Sequence, residues 1–133
     1  MSQEAAPGPL WALVPDLFLR VKIEAMSRAA GRSLVAFPTP AALLDALATA
    51  GGARHALVLV DLGAPGDAAF VLLAGLATRE DAPPSLAFFS HVDDAAKRRA
   101  VAAGATRVVP RSALVARFDD LVAGVSGTAR PPG

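Results

Sequence analysis

An α/β domain built on a parallel sheet is predicted by three features of this 133-residue chain. Short apolar runs alternate with longer segments of helical periodicity, five times over, which is the pattern of successive βα units. The run Ala56 to Val60 leads straight into a carboxylate, Asp61, and Gly63, Pro65 and Gly66 then break any regular element. A Leu- and Val-rich run bounded by turn residues fits a strand covered on both faces, as in the middle of a parallel sheet. The third feature is bulk. The chain is 53% apolar with a net charge of +1, enough to fold around a single core.

The first strand is Leu10 to Val14, stopped by Pro15. Asp16 is placed to cap a helix over Leu17 to Ala30, because its carboxylate can accept from the first free N–H groups. Leu19, Ile23, Met26 and Ala30 form the apolar stripe of that helix. Arg20, Glu24 and Arg28 follow one another as i,i+4 partners, and Gly31 ends the helix. Leu34 to Phe37 is the second strand. Thr39 then caps a helix with Pro40 at its first position, where the missing N–H is harmless. That helix runs to Ala50 and ends at Gly51-Gly52.

The Asp61 strand is third, followed by a helix over Ala68 to Thr78 interrupted only by Gly75. Leu86 to Phe89 is the fourth strand, Ser90 to Asp93 its loop, and Asp94 to Ala103 the fourth helix, ended by Gly104. Thr106 to Val109 is the fifth strand, closed by Pro110. A single last helix capped by Ser112 is expected to carry the stripe Leu114, Phe118, Leu121 and Val125. Met1 to Pro9 reads as a flexible leader, 10–125 as the domain and 126–133 as a flexible tail. Five such units fit a three-layer α/β/α sandwich with strand order 2-1-3-4-5, the flavodoxin-like arrangement. In that order the strand ends bring Asp16, Asp61, Phe89 or Ser90, and Arg111 around one crevice.

Several classes are disfavoured. With no cysteine there is no disulfide, thiolate metal site or cysteine nucleophile. A near-zero charge gives no electrostatic footprint for nucleic acid. No apolar run approaches a bilayer span and no signal-peptide pattern opens the chain, so no membrane association and a cytoplasmic location are expected. There is no Gly-rich phosphate loop after the first strand and no Ser-His-Asp set, so an enzyme is not expected.

The stretches Val58 to Asp67 (VLVDLGAPGD) and Ala100 to Leu114 (AVAAGATRVVPRSAL) give the chain its likeness to a known family. Over Leu10 to Gly124 it resembles the receiver domain of bacterial response regulators. The resemblance implies that Asp61 stands at the phosphoacceptor position, with Pro65 four residues on. It implies a Mg²⁺ site at Asp16, Asp61 and the Gly63 carbonyl, because a cation is needed to bring phosphate to a carboxylate. It further implies phosphate contacts from a hydroxyl residue ending the fourth strand and from Arg111.

The sequence departs from the family pattern in five places. The acid pair after the first strand reads Pro15-Asp16, which removes one metal ligand and weakens the site. Phe89 falls at the hydroxyl position, and Ser90 serves only if the strand end shifts by one residue. Arg111 replaces a lysine and differs from it in geometry. Ala69 replaces a usual glycine. Val108 holds the strand-five position that often carries a rotating aromatic in the family.

The expectation is therefore a degenerate receiver, or pseudo-receiver, of two-component phosphorelay signalling, acting through protein contacts. Its partner would be a histidine kinase or a downstream signalling protein. Two alternatives stand beside it: a working single-domain response regulator phosphorylated on Asp61 with Mg²⁺, and a small-molecule-binding flavodoxin-like module. Asp16 serves equally as a helix cap or a metal ligand. The simplest role for Arg111 is an ion pair with Asp61, the other a phosphate contact. Lys97, Arg98 and Arg99, next to Arg107, make a charged face that is either solvated or a partner surface, including a homodimer through the fourth helix, fifth strand and fifth helix. His91 lies near the crevice without a second ligand beside it, and His55 precedes the third strand. No output domain is expected after the last helix, and DNA binding by this chain is not expected.

Overall fold

Five strands and six helices alternate along the chain in a computed structural model that describes residues 8–49, 56–90 and 93–126. The strands are β1 (Leu10–Leu13), β2 (Leu34–Ala36), β3 (Leu57–Asp61), β4 (Ser85–Phe89) and β5 (Arg107–Pro110). They pair in parallel in the order β2-β1-β3-β4-β5, as the sequence predicts. The helices are α1 (Leu17–Ala29), α2 (Pro40–Thr49), α3 (Ala68–Ala77), α4 (Asp94–Ala102), α5 (Arg111–Ala116) and α6 (Phe118–Ser126). None of them is long and apolar enough to cross a membrane.

Alternation along the strands divides the core in two. Leu10, Ala12, Leu57, Leu59, Leu86, Phe88 and Val109 face one side, where Leu19 and Ile23 of α1 and Leu114, Phe118, Leu121 and Val125 of α5 and α6 cover them. Trp11, Leu13, Val58, Val60 and Ala87 face the other, beneath Leu43 and Leu47 of α2, Leu72, Leu73 and Leu76 of α3, and Ala100 of α4. A period-two strand covered on both faces reads as a continuous apolar run, which is why LVLV signals a central strand.

The caps follow simple chemistry. Asp16 Oδ1 accepts from the Leu19 N–H at 3.2 Å, and Thr39 Oγ1 accepts from the Ala42 N–H at 3.1 Å. Asp93 Oδ1 caps α4 through the Ala96 N–H at 3.0 Å. Gly31 follows α1 with φ +75°, the left-handed geometry that glycine adopts without strain.

Three expectations are corrected. The last helix is two. Arg117 adopts φ −131° and ψ 38°, which ends α5 before α6 begins. The apolar stripe hides this break, since all four of its residues are buried on either side of it. Ser112 is not the cap: α5 already starts at Arg111, after an extended Pro110 that makes no side-chain cap bond. Arg20 does not serve the i,i+4 series. Its Nη1 donates to the Val14 carbonyl at 3.1 Å, leaving Glu24 and Arg28 as an exposed pair at 3.7 Å. Strand bounds differ by a residue or so, with β4 starting at Ser85 and β5 ending at Pro110.

The expected leader is described only at Gly8 and Pro9, whose carbonyls accept from Arg32 Nη1 at 3.4 Å and the Leu57 N–H at 3.2 Å. The rest of the leader, Gly51-Gly52, His55, His91 and the tail beyond Ser126 lie outside the described residues.

A reciprocal lock joins the starts of β4 and β5. Thr106 Oγ1 accepts from the Ser85 N–H at 2.9 Å, and Ser85 Oγ accepts from the Thr106 N–H at 3.1 Å. Thr106→Val keeps the shape and strips the acceptor from a buried donor. It is expected to cost about 1–2 kcal/mol, read from the urea midpoint at constant m.

Candidate functional site

The carboxyl ends of β1, β3, β4 and β5 enclose a cavity of about 350 Å³, with Asp16, Asp61, Gly63, Ser90 and Arg111 on its wall. Pro15, Leu19 and Pro65 supply its apolar lining. This is the crevice where open α/β sheets place their ligands.

Asp61 is the last residue of β3 and pairs in register with Phe88. The Leu62 N–H donates to the Phe88 carbonyl at 2.9 Å, so the strand end is held in the sheet up to the point where it leaves. Two bonds then turn the chain. Asp61 Oδ1 accepts from the Gly63 N–H at 2.8 Å, and the Asp61 carbonyl accepts from the Ala64 N–H at 3.0 Å. A Cβ at Gly63 would lie only 3.2 Å from Asp61 Oδ1, so glycine permits this close approach. Asp61 thus has both the turn-forming role and a place in the cavity.

Burial pushes the Asp61 carboxyl above its ordinary value. The Gly63 N–H and the Arg111 guanidinium pull in the opposite direction, and the Asp16 carboxylate adds to the rise. Three charged side chains therefore share one local field. They do not form the expected ion pair. Among the described residues the pairs are Glu24–Arg28, Asp81–Arg79 and Asp67–Arg99, and Asp61–Arg111 is not one of them. β4 stands between β3 and β5, and the Arg111 charge still reaches Asp61 across the cavity, pulling its carboxyl downward. Arg111 is half-buried at the first position of α5 and remains a cation on the cavity wall.

Ser90 stands directly after β4 and lines the cavity, while Phe89 ends the strand opposite Pro110 and is half-buried. The hydroxyl therefore enters the site one residue later than the resembled pattern has it. Asp16 caps α1 and also lines the cavity. Val108 is half-buried and packs into the α2–α3–α4 side of the core.

The resemblance implies a divalent cation. Among the described residues no group of three or more acids or histidines converges. The donors on the wall are two aspartates and the Gly63 carbonyl. Magnesium keeps several waters and is commonly held by one or two carboxylates, so the donors present fit such an ion.

Two features escape sequence reading. The sequence groups Arg99 with Lys97 and Arg98 on one charged face, yet its Nη1 donates to Asp67 Oδ1 at 3.1 Å, and its guanidinium sits 4.0 Å from the Phe70 ring centroid. Lys97 and Arg98 instead flank a shallow groove of about 410 Å³ floored by Val101 and Ala102. A further groove of about 450 Å³ opens between the end of α1 and the α5–α6 break, with Arg117, Asp119 and Asp120 on its rim.

No protein-family model matches the chain, and no curated protein matches it by sequence. Solved structures do match. A response regulator receiver domain from Rhodospirillum rubrum has a TM-score of 0.74 at 20% identity, over 92% of this chain and 96% of that one. The FixJ-N structure gives a TM-score of 0.78 at 18% identity, over 94% and 98%. The beryllofluoride-activated N-terminal receiver domain of Klebsiella pneumoniae RstA gives 0.77 at 17% identity, over 90% and 99%. At these identities the likeness establishes the fold: the chain adopts the flavodoxin-like fold of response-regulator receiver domains.

Proposed function

We propose that this chain is a receiver-type module of two-component signalling that works by protein contact rather than as an enzyme, with a weakened phosphoacceptor site. The observation that carries the reading is the convergence of Asp16, Asp61, Ser90 and Arg111 on one cavity of about 350 Å³ at the carboxyl end of the sheet. The weakness is argued from the missing acid at Pro15. Asp16 and Asp61, with the Gly63 carbonyl, would hold Mg²⁺ loosely. When bound, the ion would offset repulsion between carboxylate and phosphate. Ser90 and Arg111 would meet the anion.

Surface composition supports a protein partner. Phe18 on α1 is 85% exposed, with Leu17 and Val21 exposed on the same helix. Apolar side chains clustered in this way mark interaction surfaces. The groove on α4, lined by Asp94, Lys97, Arg98, Val101 and Ala102, offers a second face, suited to a downstream protein or to a second copy of the chain.

A second reading is favoured by two specific observations: Ser90 lines the cavity despite its shifted position, and Arg111 is not consumed by an ion pair with Asp61. In that reading an Asp61 carboxylate oxygen attacks the phosphorus of a phosphodonor and displaces the donor's leaving group, giving an aspartyl phosphate. Beryllofluoride with Mg²⁺, followed by amide shifts, separates the two. The weakened site gives no saturable shift at Gly63 and Ser90. A saturable shift there, lost in Asp61→Asn, establishes the competent acceptor instead. Intact mass after incubation with a small phosphodonor distinguishes them independently, since only the competent acceptor shows an Asp61-dependent gain of one phosphoryl group.

A further inference from the structure

We propose that Arg20 is a positioning residue for the cation site: it clamps the corner between β1 and α1 and so sets where the Asp16 carboxylate stands relative to Asp61. This deepens the reading above and rests on it for the Mg²⁺ site, while the clamp itself rests on geometry alone.

Arg20 holds the corner from both sides. Its backbone N–H donates to the Asp16 carbonyl at 2.9 Å, and its Nη1 donates to the Val14 carbonyl at 3.1 Å. Pro15 stands between those two carbonyls. β1 pairs with β3 as far as Leu13, opposite Val60, so Val14 lies just past the ladder. Val14 is buried, and a carbonyl in such a place needs a donor from the protein. The guanidinium supplies it. Without that donor the carbonyl turns to find water, and it belongs to the same rigid peptide plane as the Pro15 nitrogen. The Pro15 ring fixes φ, so few soft angles separate that plane from Asp16. A turn of the Val14 carbonyl is therefore delivered to the Asp16 carboxylate.

The site depends on that placement. Pro15, Asp16, Asp61 and Gly63 line one cavity, and with proline at position 15 the β1–α1 corner supplies a single carboxylate to it. Asp16 Oδ1 already accepts from the Leu19 N–H at 3.2 Å, and the carboxylate keeps a second oxygen for a cation. Groups behind a ligand that fix its orientation commonly set metal affinity as strongly as the charges do. Charge and placement here predict opposite results. Arg20 is itself a cation, so by Coulomb's law alone its removal would tighten Mg²⁺ binding. Loss of placement loosens it.

The test is a double-mutant cycle on the full chain, with MgCl₂ as the probe and the Gly63 amide as the NMR reporter. Arg20→Met weakens Mg²⁺ binding about threefold to tenfold. Arg20→Lys, which keeps a donor able to reach the carbonyl, recovers most of the affinity. In the Asp16→Asn background Arg20→Met has no further effect, because the carboxylate it positions is gone. Unchanged or tighter binding in Arg20→Met would overturn the assignment, and so would an equal loss with and without Asp16. A metal-free measurement stands beside it. Hydrogen exchange at the Leu19 amide, which the Asp16 cap protects, accelerates about fivefold in Arg20→Met relative to Ile23 of the same helix. If Mg²⁺ gives no saturable shift in the unsubstituted protein, the cation site of the proposed function fails. Arg20 is then judged on exchange alone, where an unchanged ratio of Leu19 to Ile23 overturns the clamp.

Discussion

Replacing Phe88 with alanine is expected to lower the unfolding free energy by about 3–5 kcal/mol, from lost transfer energy and the cavity left behind. Phe88 is 1% exposed and is the largest fully buried side chain of the core. It lies in β4, on the face covered by α1, α5 and α6, among Leu59, Leu86, Val109, Leu114 and Phe118. A domain of this size is stable by only about 5–15 kcal/mol, so the loss is a large fraction of the total. The same residue also holds the site. Its backbone pairs with Asp61, and its carbonyl accepts from the Leu62 N–H at 2.9 Å, where β3 leaves the sheet. A cavity at Phe88 should therefore loosen the turn at Asp61 beyond what the global loss explains. Chemical denaturation measures the first effect. Hydrogen exchange at Leu62 and Ala64 measures the second, and protection there that fell no further than at Leu57 would argue against the local effect.

How far the sequence disclosed all this depends on the kind of signal each residue leaves. Asp61 was legible because a both-faces-buried strand has no polar residue until its end, so the first carboxylate marks the exit from the sheet. Asp16 was legible because a cap must precede its helix by a fixed offset. The break at Arg117 was not, since Leu114, Phe118, Leu121 and Val125 keep helical spacing across it. Periodicity reports which face is buried and says nothing of one residue's backbone angles. Long side chains hide their partners in another way. Arg20, Arg99 and Arg111 each reach several ångströms from their backbone, to a strand-end carbonyl, to a neighbouring helix and into a cavity. Arg99 finds its partner 32 residues away, a contact that no local pattern encodes. Ser90 shows the intermediate case. Its position in the sequence was plain, but its place in the cavity depended on where β4 ends.

Asp61→Asn is expected to abolish any phosphoryl or beryllofluoride response and, at the same time, to stabilise the free protein. The amide keeps an oxygen for the Gly63 N–H and removes a charge that burial disfavours. Against this stands the lost attraction to Arg111, which is the smaller influence on Asp61 than its burial. The carboxyl is partly solvated, so the gain is held to about 1 kcal/mol or less, or a rise in Tm of a few degrees. Its pH dependence has a definite sign. The folded-state pKa of Asp61 is raised above the ordinary value of 3.8, so between the two the native state binds more protons than the unfolded one. Stability from this group is then fully present below the unfolded value and lost as pH rises through the folded one. The advantage of Asp61→Asn should accordingly be absent at the acid end and open as pH climbs towards neutrality. Thermal melts of both proteins across that range provide the measurement. A gap that narrowed with rising pH would mean that Asp61 is held by its cationic neighbour rather than strained by burial. Added Mg²⁺ should close part of the gap by stabilising only the protein that keeps both carboxylates.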